Sequence, residues 1–321
     1  MFRIACGVAV VAAALAASRA SEAVDLLRFP ICWAGVLLAL DGLSRWRRGD
    51  SPLHDAGDFI ACAAASVVFW DVFELVNLRL RNWWYTGVSP IPVWGGVFGA
   101  LSFATVLPAV RLLIGARTLP AASHRAIRFG IGVAMLALAL AFPRVAFPLA
   151  WIFLWPIGEA LAGVRIPLRL AAYGIPLGLL WESLNWGCRR GWVYTVPHFE
   201  HPKLFEMPLP GYLGYLPFAL EAAAILALLD RIRPHLRGRR AAAALAAVVA
   251  FHFVVDEPAR RRTVVSFAPY EEQGAAPEVL SLEQKTHMGL HRAELVARRG
   301  WGALDDDPAL VRVWRDKADS R

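Results

Sequence analysis

The sequence has few charged residues and few cysteines, and the common nucleotide-binding motifs are absent. Charged residues make up 19% of the 321 positions, below the share of about a quarter in average soluble domains. The four cysteines stand singly, without a C-x-x-C pair, so they indicate neither a zinc site nor a disulfide framework. There is no G-x-x-x-x-G-K-[ST], no G-x-G-x-x-G and no G-x-S-x-G with a credible triad. Nucleotide-driven transport and serine hydrolysis therefore have no support.

Long apolar segments are what the sequence has instead. Hydrophobic residues make up 57% of the chain, 13 residues are tryptophan, and the mean hydropathy is +0.46. Apolar runs long enough, or nearly long enough, to cross a bilayer core of about 30 Å lie at 3–18, 26–44, 57–77, 93–115, 126–143, 145–163, 168–186, 209–229 and 239–255. We therefore predict an all-α polytopic membrane helical bundle of 8–9 spans, several of them short.

The basic residues, mostly arginines, are divided unequally between the connections. One set of alternate connections carries 14 of them: Arg3, Arg45, Arg47, Arg48, Arg117, Arg125, Arg128, Arg165, Arg169, Arg231, Arg233, Arg237, Arg239 and Arg240. The other set carries eight: Arg19, Arg28, Arg79, Arg81, Arg144, Arg189, Arg190 and Lys203. Cytoplasmic connections are enriched in basic residues, so we predict that the first set faces the cytoplasm of a bacterial inner membrane. This pattern also accounts for the net charge of +8 without a nucleic-acid partner.

Four landmarks occur twice in the same order, which predicts an internal duplication. The pairs are FPICW (29–33) with FPLAW (147–151), Glu74-x-x-Asn77 with Glu182-x-x-Asn185, Trp83-x-Tyr85-Thr86 with Trp192-x-Tyr194-Thr195, and PIPVWGG (90–96) with PLPGYLG (208–214). We predict two parallel repeats, 1–118 and 119–232, followed by a final span, 233–257. Substrate sites in such folds commonly lie between the halves. The second copy has a longer loop after Tyr194 and carries Glu221 where the first copy has Phe103, so it is the better candidate for chemistry.

The two ends of the chain have their own patterns. Residues 1–20 have the basic, apolar and small-residue regions of a signal peptide, but they also match the span that opens the second repeat. Both interpretations stay open. The polar segment 258–321 predicts a small helical tail of two amphipathic helices, suited to docking a protein partner or to regulation.

Glutamates at membrane depth are the main candidates for function. Glu74, Glu159, Glu182 and Glu221 fall in apolar segments, where each carboxylate costs at least a few kcal/mol (about 2.5–3.5 on insertion scales). A carboxylic acid that burial keeps neutral can donate a proton. Residues at i and i+3 share a helix face, so Asn77 can donate its amide to Glu74, and Asn185 can donate to Glu182. Such a pair can also join two helices or hold a helix end at the interface, and an ion or proton pathway is a further alternative.

Aromatic residues and a histidine pair add two ambiguous patterns. Many Trp and Tyr residues cluster near the repeated motifs, as an interfacial belt requires, but their rings are also suited to lining a π-rich pocket that stabilises a cation. The sequence HFEH at 198–201 lies between prolines, so no helix sets its ligand spacing. We therefore predict a solvated loop there and no metal site.

The motifs Trp192-Val-Tyr194 and Pro208-Leu-Pro210, with their first-half counterparts Trp83-Trp-Tyr85 and Pro90-Ile-Pro92, carry a family resemblance. Over roughly residues 29–230 the chain resembles the integral-membrane carotenoid cyclases of the lycopene cyclase-domain type and, more distantly, membrane carotenoid hydratases. The resemblance implies that an acid protonates an isoprenoid double bond and that the cation closes a ring or takes up water, without a cofactor. Those cyclases have Pro-x-Glu-Glu at the second turn, whereas Leu-Pro-Gly follows Pro208 here.

These patterns lead to a specific set of candidate residues. For an acid-catalysed cyclase or hydratase of a carotenoid or other isoprenoid lipid, the catalytic candidates are Glu182, Glu221, Glu206 and Asn185, with Asn185 orienting Glu182. The substrate-binding candidates are Trp181, Trp192, Tyr194, Tyr212, Glu74 and Asn77. The alternatives are a membrane scaffold cross-linked by its Glu–Asn pairs and a transporter with its site between the repeats. Acids converging on one cavity favour the enzyme, a dry Glu–Asn contact favours the scaffold, and a continuous water path favours transport.

Overall fold

The computed structural model describes residues 1–86, 88, 92–186, 188, 191–194, 196–198 and 202–265. The predicted tail beyond Val265 lies outside these residues. The described chain is mostly helical, as predicted. Its helices are α1 (Phe2–Ala17), α2 (Glu22–Arg48), α3 (Ala56–Leu80), α4 (Pro92–Phe103), α5 (Val106–Ile114), α6 (Arg125–Ala141), α7 (Leu154–Ala162), α8 (Gly174–Asn185), α9 (Tyr215–Ile232) and α10 (Arg239–Thr263). Short 3₁₀ helices cover Phe147–Trp151, Leu168–Tyr173, Leu209–Gly214 and Arg233–His235.

Five helical segments in the described part of the chain are long and apolar enough to cross a membrane. They are Leu27–Arg48, Ala56–Leu80, Pro92–Ile114, Leu209–His235 and Arg239–Arg260. The apolar runs at 145–163 and 168–186 each fold as a 3₁₀ turn followed by a short helix. Proline lacks a backbone N–H and interrupts a regular helix, and Pro148, Pro156 and Pro176 fall within these two runs. The five long apolar segments make the described fold compatible with an integral membrane protein.

Short strands are an addition to the predicted all-α fold. β1 (Trp83–Thr86), β2 (Gly191–Tyr194) and β5 (Val264–Val265) form a three-stranded sheet in the order β2-β1-β5. β1 pairs antiparallel with β2 and parallel with β5. β3 (Lys203–Leu204) and β4 (Met207–Pro208) form a separate hairpin. The helix α10 runs through Pro258 to Thr263, and β5 follows it directly.

Small residues let the helices pack closely at two contacts. Gly7 on α1 faces Gly35 on α2, and a Cβ atom at either position would overlap the other helix. Gly158 on α7 faces Ala224 on α9 in the same way. The core lies between these pairs, where α2, α3, α5, α8 and α9 bury aromatic and branched side chains.

One end of the helix bundle is rich in arginine. Arg48 donates to the carbonyl oxygens of Leu112 and Leu113, Arg125 to that of Ala160, and Arg231 to that of Ala162. Arg111 on α5 forms a two-pronged ion pair with Asp230 on α9, at 2.5 and 3.0 Å, and Arg233 pairs with Asp58. These contacts join the C-terminal ends of α2, α5, α7 and α9 to the N-terminal ends of α3 and α6. The strands β1 and β2 follow the C-terminal ends of α3 and α8, at the end of the bundle away from these contacts.

Candidate functional site: a pair of buried carboxyl groups beside an aromatic cavity

The first Glu-x-x-Asn motif holds the strand that follows its helix. α3 ends at Arg81, whose φ of 53° places it in the left-handed region and reverses the chain. Asn77 then donates to the carbonyl oxygen of Trp83 at 2.9 Å and accepts from the backbone N–H of Asn82 at 2.8 Å. The sequence suggested a bond from the Asn77 amide to Glu74, whereas this amide instead fixes the backbone of β1.

The second motif repeats this arrangement. Asn185 donates to the carbonyl oxygen of Trp192 at 2.9 Å and accepts from the N–H of the same residue at 3.0 Å. The absence of a side chain at Gly191 is required here, because a Cβ atom would overlap the Asn185 oxygen. Asn185 therefore positions β2, the strand that carries the aromatic partners of Glu182, so any orienting effect on Glu182 acts through that strand.

The two strands meet so that equivalent residues of the motifs oppose each other. Trp83 pairs with Tyr194 and Tyr85 pairs with Trp192, with Trp84 opposite Val193 at the centre. The register is therefore symmetric about the Trp84–Val193 pair. Glu74 and Glu182 consequently lie close to one small sheet.

Glu74 is almost fully buried and is bound by aromatic donors. Its Oε1 atom accepts from Tyr85 Oη at 2.6 Å, Trp70 Nε1 at 2.8 Å and Trp83 Nε1 at 3.1 Å. Its Oε2 atom has no hydrogen-bond partner among the described residues. Three donors on one oxygen offset much of the cost of burying a carboxyl group.

Glu182 has an equivalent environment with one partner exchanged. Its Oε1 atom accepts from Tyr194 Oη at 2.8 Å and from Tyr215 Oη at 2.5 Å, and Trp192 Nε1 donates to Tyr194 Oη at 2.9 Å. Gly178 stands four residues before Glu182, as Trp70 stands four residues before Glu74. The Tyr215 ring fills the space that a side chain at Gly178 would take. Tyr215 thus has the place beside Glu182 that the Trp70 indole has beside Glu74.

The tyrosines on the strands remain donors over the physiological range. Burial raises the pKa of Tyr194 well above its usual value of 10, and the negative charge of Glu182 raises it further. Burial and Glu74 act on the pKa of Tyr85 in the same direction. Each hydroxyl therefore keeps its proton and can donate to the adjacent carboxyl group.

A cavity of about 390 Å³ lies against the second carboxyl cluster. Its walls are mostly apolar and include Trp33, Trp70, Trp151, Trp181 and Phe218. The polar groups Tyr194 and Tyr215, which hydrogen-bond to Glu182, also line it. This volume falls within the range of about 300–1,000 Å³ typical of ligand pockets. The arrangement is suited to an apolar ligand with acid chemistry at one wall.

The other predicted site residues lie in several places. Trp181 lines the cavity and packs edge-on against Phe29, with 4.8 Å between ring centroids. Trp192 does not line this cavity but a smaller neighbouring pocket. Tyr212 is buried beside the Tyr215 ring and donates to the carbonyl oxygen of Leu204 at 3.0 Å.

The two secondary acid candidates do not converge on Glu182. Glu221 is buried on α9 and accepts from the backbone N–H of Leu154 at 2.8 Å, which satisfies a free donor at the start of α7. Glu206 is buried in the turn between β3 and β4. Neither residue lines the cavity, and Glu182 itself is connected to it only through the hydroxyls of Tyr194 and Tyr215.

Sequence reasoning left four relevant residues out of the site. Tyr215 and Trp70 bind the carboxyl groups, and Asp71 and His252 form a buried pair at 2.9 Å. The spacing of Trp70, one helical turn before Glu74, pointed to a shared face. Lone ionisable residues inside apolar segments, such as Asp71 and His252, are functional candidates for the same reason as the glutamates.

The remaining sequence candidates give no indication of a metal site. His198 contacts the carbonyl oxygen of Arg144 at 3.1 Å, and His201 lies outside the described residues. Within the described ranges, no three His, Cys, Asp or Glu side chains lie together in an arrangement suited to a metal ion. In comparisons with known proteins, no family model matches the chain, and no curated protein or solved structure is significantly similar to it.

Proposed function

We propose that this protein is an integral enzyme of a bacterial inner membrane that binds one end of a linear isoprenoid lipid, such as a carotenoid, and closes a ring by acid catalysis. The observation that carries the proposal is the aromatic cavity with Tyr194 and Tyr215 in its wall, both bonded to the buried carboxyl group of Glu182. The motifs shared with the carotenoid cyclases support the same substrate class.

In this mechanism Glu182 is the acid. Glu182 does not itself line the cavity, so its proton reaches the lipid through a tyrosine of the wall. The hydroxyl proton of Tyr215 forms a C–H bond with one carbon of a terminal double bond, and the Glu182 carboxyl proton replaces it on the tyrosine oxygen. The π electrons of the double bond form the new C–H bond and leave a carbocation on the neighbouring carbon. The resulting carboxylate is stabilised by the hydroxyls of Tyr194 and Tyr215, whose hydrogen bonds are already in place. Preorganised donors that favour the charge developing in the transition state lower the barrier.

The cavity then directs the cation. The faces of Trp33, Trp151 and Trp181 supply π density beside the polyene, which stabilises a cation by about 0.5–2 kcal/mol for each well-placed ring. A second double bond attacks the cation to form the ring, and loss of a proton to the Glu182 carboxylate restores the acid. The atoms and electrons of the lipid are conserved, so no redox partner enters the reaction. An apolar wall also keeps bulk water from the cation.

The duplicated architecture belongs to the same proposal. We infer that the halves are copies of one unit with 8–9 spans between them, because the repeated motifs share the same Asn-to-strand bonds and pair about a local two-fold axis. The cavity uses residues of both halves, as a site between parallel repeats does.

Expression in a host that accumulates a linear carotenoid tests the function. We expect the wild-type protein to produce a cyclic isomer of unchanged mass, and Glu182→Gln to lower its yield by about 100-fold or more, as loss of a general acid does. The lipid profile is measured by liquid chromatography and mass spectrometry.

A matched variant controls for the loss of a buried carboxyl group. Glu159→Gln alters a buried glutamate at the arginine-rich end, bound by Arg128 and by the N–H of Ile166, and we expect it to leave product formation unchanged if the protein accumulates. An unchanged lipid profile with the wild-type protein, and a Glu182→Gln variant that loses only thermal stability, would overturn the enzyme proposal in favour of a scaffold. A product heavier by one water would identify a hydratase.

A further inference from the structure

A second, smaller pocket lies on the other side of the tryptophan wall from the cavity. Its volume is about 70 Å³, and Trp70 and Trp181 line both spaces. Unlike the cavity, this pocket is lined by six titratable side chains. They are Asp71 and Glu74 on α3, Tyr85 on β1, and His252, Asp256 and Arg260 on α10.

The residues contributed by the other elements around this pocket are not titratable. α2 contributes Phe29 and Pro30, α4 contributes glycines, Ser102 and Phe103, and α8 and β2 contribute tryptophans and Gly191. Among the described residues, the titratable groups of the pocket therefore come from α3, β1 and α10.

The charged groups along α10 become less exposed from the C-terminal part of the helix inward. Arg260 pairs with Asp256 at 3.2 Å, and these side chains are 21% and 17% exposed. One helical turn further in, His252 pairs with Asp71 at 2.9 Å, and these side chains are 3% and 1% exposed. Glu74, one turn after Asp71 on α3, ends the series in the interior.

The Asp71–His252 pair is fixed at both ring nitrogens. Nδ1 of His252 faces the Asp71 carboxylate and Nε2 faces the carbonyl oxygen of Gly96 at 2.9 Å. Both partners are acceptors, so the geometry suits an imidazolium ring that donates twice and neutralises Asp71. The pair is a fixed polar wall for the pocket rather than its ligand.

The two carboxyl oxygens of Glu74 differ in their hydrogen bonding. Its Oε1 atom is occupied by three aromatic donors, whereas the buried Oε2 atom has no partner among the described residues. A buried carboxyl oxygen without a partner is costly, and a polar cavity of even about 10–15 Å³ admits a water molecule. Water is thus the ligand that fits both the volume and the missing hydrogen bond.

We propose that this pocket is a hydrated proton-exchange site, in which a short water chain carries protons between Asp256 at the outer end and Glu74 Oε2 at the inner end. Each transfer breaks one O–H bond and forms another on the next oxygen, so only a proton moves. The Asp71–His252 pair forms the polar wall beside the middle of the path. This inference does not depend on the lipid chemistry proposed for the neighbouring cavity.

Gly99 allows the water to be displaced without changing any charge. It lies on α4 in the pocket wall, and a Cβ atom there would be 3.8 Å from the His252 ring, an ordinary contact. Alanine also suits a helix interior better than glycine, by about 0.5–1 kcal/mol, so Gly99→Ala is expected to fold. Gly130→Ala on α6, where nothing lies within 4 Å, is the matched control.

The test follows hydrogen–deuterium exchange at the carboxyl groups of the full-length protein in lipid nanodiscs by infrared spectroscopy. The Glu74 band is assigned by its loss in Glu74→Gln. After transfer to D₂O, we expect this band to shift promptly in the wild type and in Gly130→Ala, and at least ten-fold more slowly in both Gly99→Ala and Asp256→Asn. The proposal is overturned if no protonated Glu74 band appears at any pH at which the protein stays folded. It is equally overturned if either of these two variants exchanges at the wild-type rate.

Discussion

Glu74 and Glu182 each concentrate their hydrogen bonds on one carboxyl oxygen. Glu74 receives three aromatic donors and Glu182 receives two tyrosine hydroxyls. A bond of this kind to a neutral carboxyl group contributes about 0.5–1.5 kcal/mol, and a buried donor left without its acceptor costs about 1–3 kcal/mol. At the residue scale the two clusters differ in one donor, which is Trp70 beside Glu74 and Tyr215 beside Glu182, and Gly178 makes room for Tyr215.

Gly178→Ala should therefore disturb the second carboxyl cluster specifically. The new Cβ atom would lie about 2.6 Å from Cε2 of Tyr215, so the ring must move away from Glu182. We expect a loss of about 1–3 kcal/mol in unfolding free energy, as for other overpacked sites, together with a large loss of product. Thermal unfolding and lipid profiling measure the two effects.

Gly130→Ala is the control for this substitution. It adds the same methyl group to a helix interior, on α6, where nothing lies within 4 Å, and Gly130 lines neither the cavity nor the smaller pocket. A Gly178→Ala protein that matches the control in both stability and product would contradict the role given to the Tyr215 ring.

At the scale of elements, the unusual feature is a small sheet held by two helix ends. β1 and β2 have four residues each, and an isolated strand pair of this size is marginal at best. Asn77 and Asn185 supply the missing support, because each bonds the backbone of the strand that follows its own helix. The Glu-x-x-Asn spacing thus places two residues with different roles on one helix face. The glutamate accepts a hydrogen bond from a tyrosine side chain of the strand, and the asparagine bonds to the backbone of the same strand.

Asn185→Ala should loosen β2 while leaving α8 intact. The substitution leaves the N–H and carbonyl groups of Trp192 without their side-chain partners. We expect amide hydrogen exchange in the segment 191–194 to become at least ten-fold faster, since loss of about 1.4 kcal/mol or more corresponds to that factor. Mass spectrometry of the peptides from this segment gives the rate.

Ser183→Ala tests whether any polar loss on α8 has the same effect. Ser183 bonds only within its own helix among the described contacts, to the carbonyl oxygen of Leu180. In the Ser183→Ala protein, amide hydrogen exchange in the segment 191–194 should stay at the wild-type rate. Equal acceleration by both substitutions would mean that Asn185 acts through helix stability and not through the strand.

At the scale of the whole molecule, charge and candidate site lie at opposite ends of the bundle. The arginine contacts join the connections after α2, α5, α7 and α9, whereas the paired strands follow α3 and α8 at the other end. Large apolar side chains are exposed on α6 and α10, including Ile127, Val249 and Val254. This distribution suits a bundle with lipid around its sides and its basic end in the cytoplasm.

Cysteine labelling of the two ends of α6 tests this orientation. Ser123 precedes the helix at the arginine-rich end, and Val145, 77% exposed, follows it at the other end. In intact cells, a membrane-impermeant maleimide should react with Val145→Cys and reach Ser123→Cys only after permeabilisation. The unsubstituted protein, whose thiols are mostly buried, gives the background. The opposite labelling pattern would reverse the orientation.

Periodic and repeated features were visible in the sequence because they depend on residues close together along the chain. Apolar runs located the long helices, and the double motif located Glu74 and Glu182, whereas the strands that follow them were not predicted. Hydropathy overestimated the regular length of the runs at 145–163 and 168–186, because it does not register the interruptions at proline. The sequence predicted asparagines on the same helices as the partners of Glu74 and Glu182. Of the aromatic donors on the strands, Trp192 and Tyr194 were therefore named as candidates, whereas Trp83 and Tyr85 were not.

The sequence by itself determined that this chain forms apolar helices, that it repeats a Glu-x-x-Asn and Trp-x-Tyr unit, and that it carries basic residues preferentially in alternate connections. These properties follow from residue chemistry and local spacing. Only the tertiary structure decided that Glu221 binds the start of α7, that Tyr215 joins Glu182, and that Asp71 meets His252. Those pairs are 33 to 181 positions apart along the chain, so their contacts depend on how the helices pack.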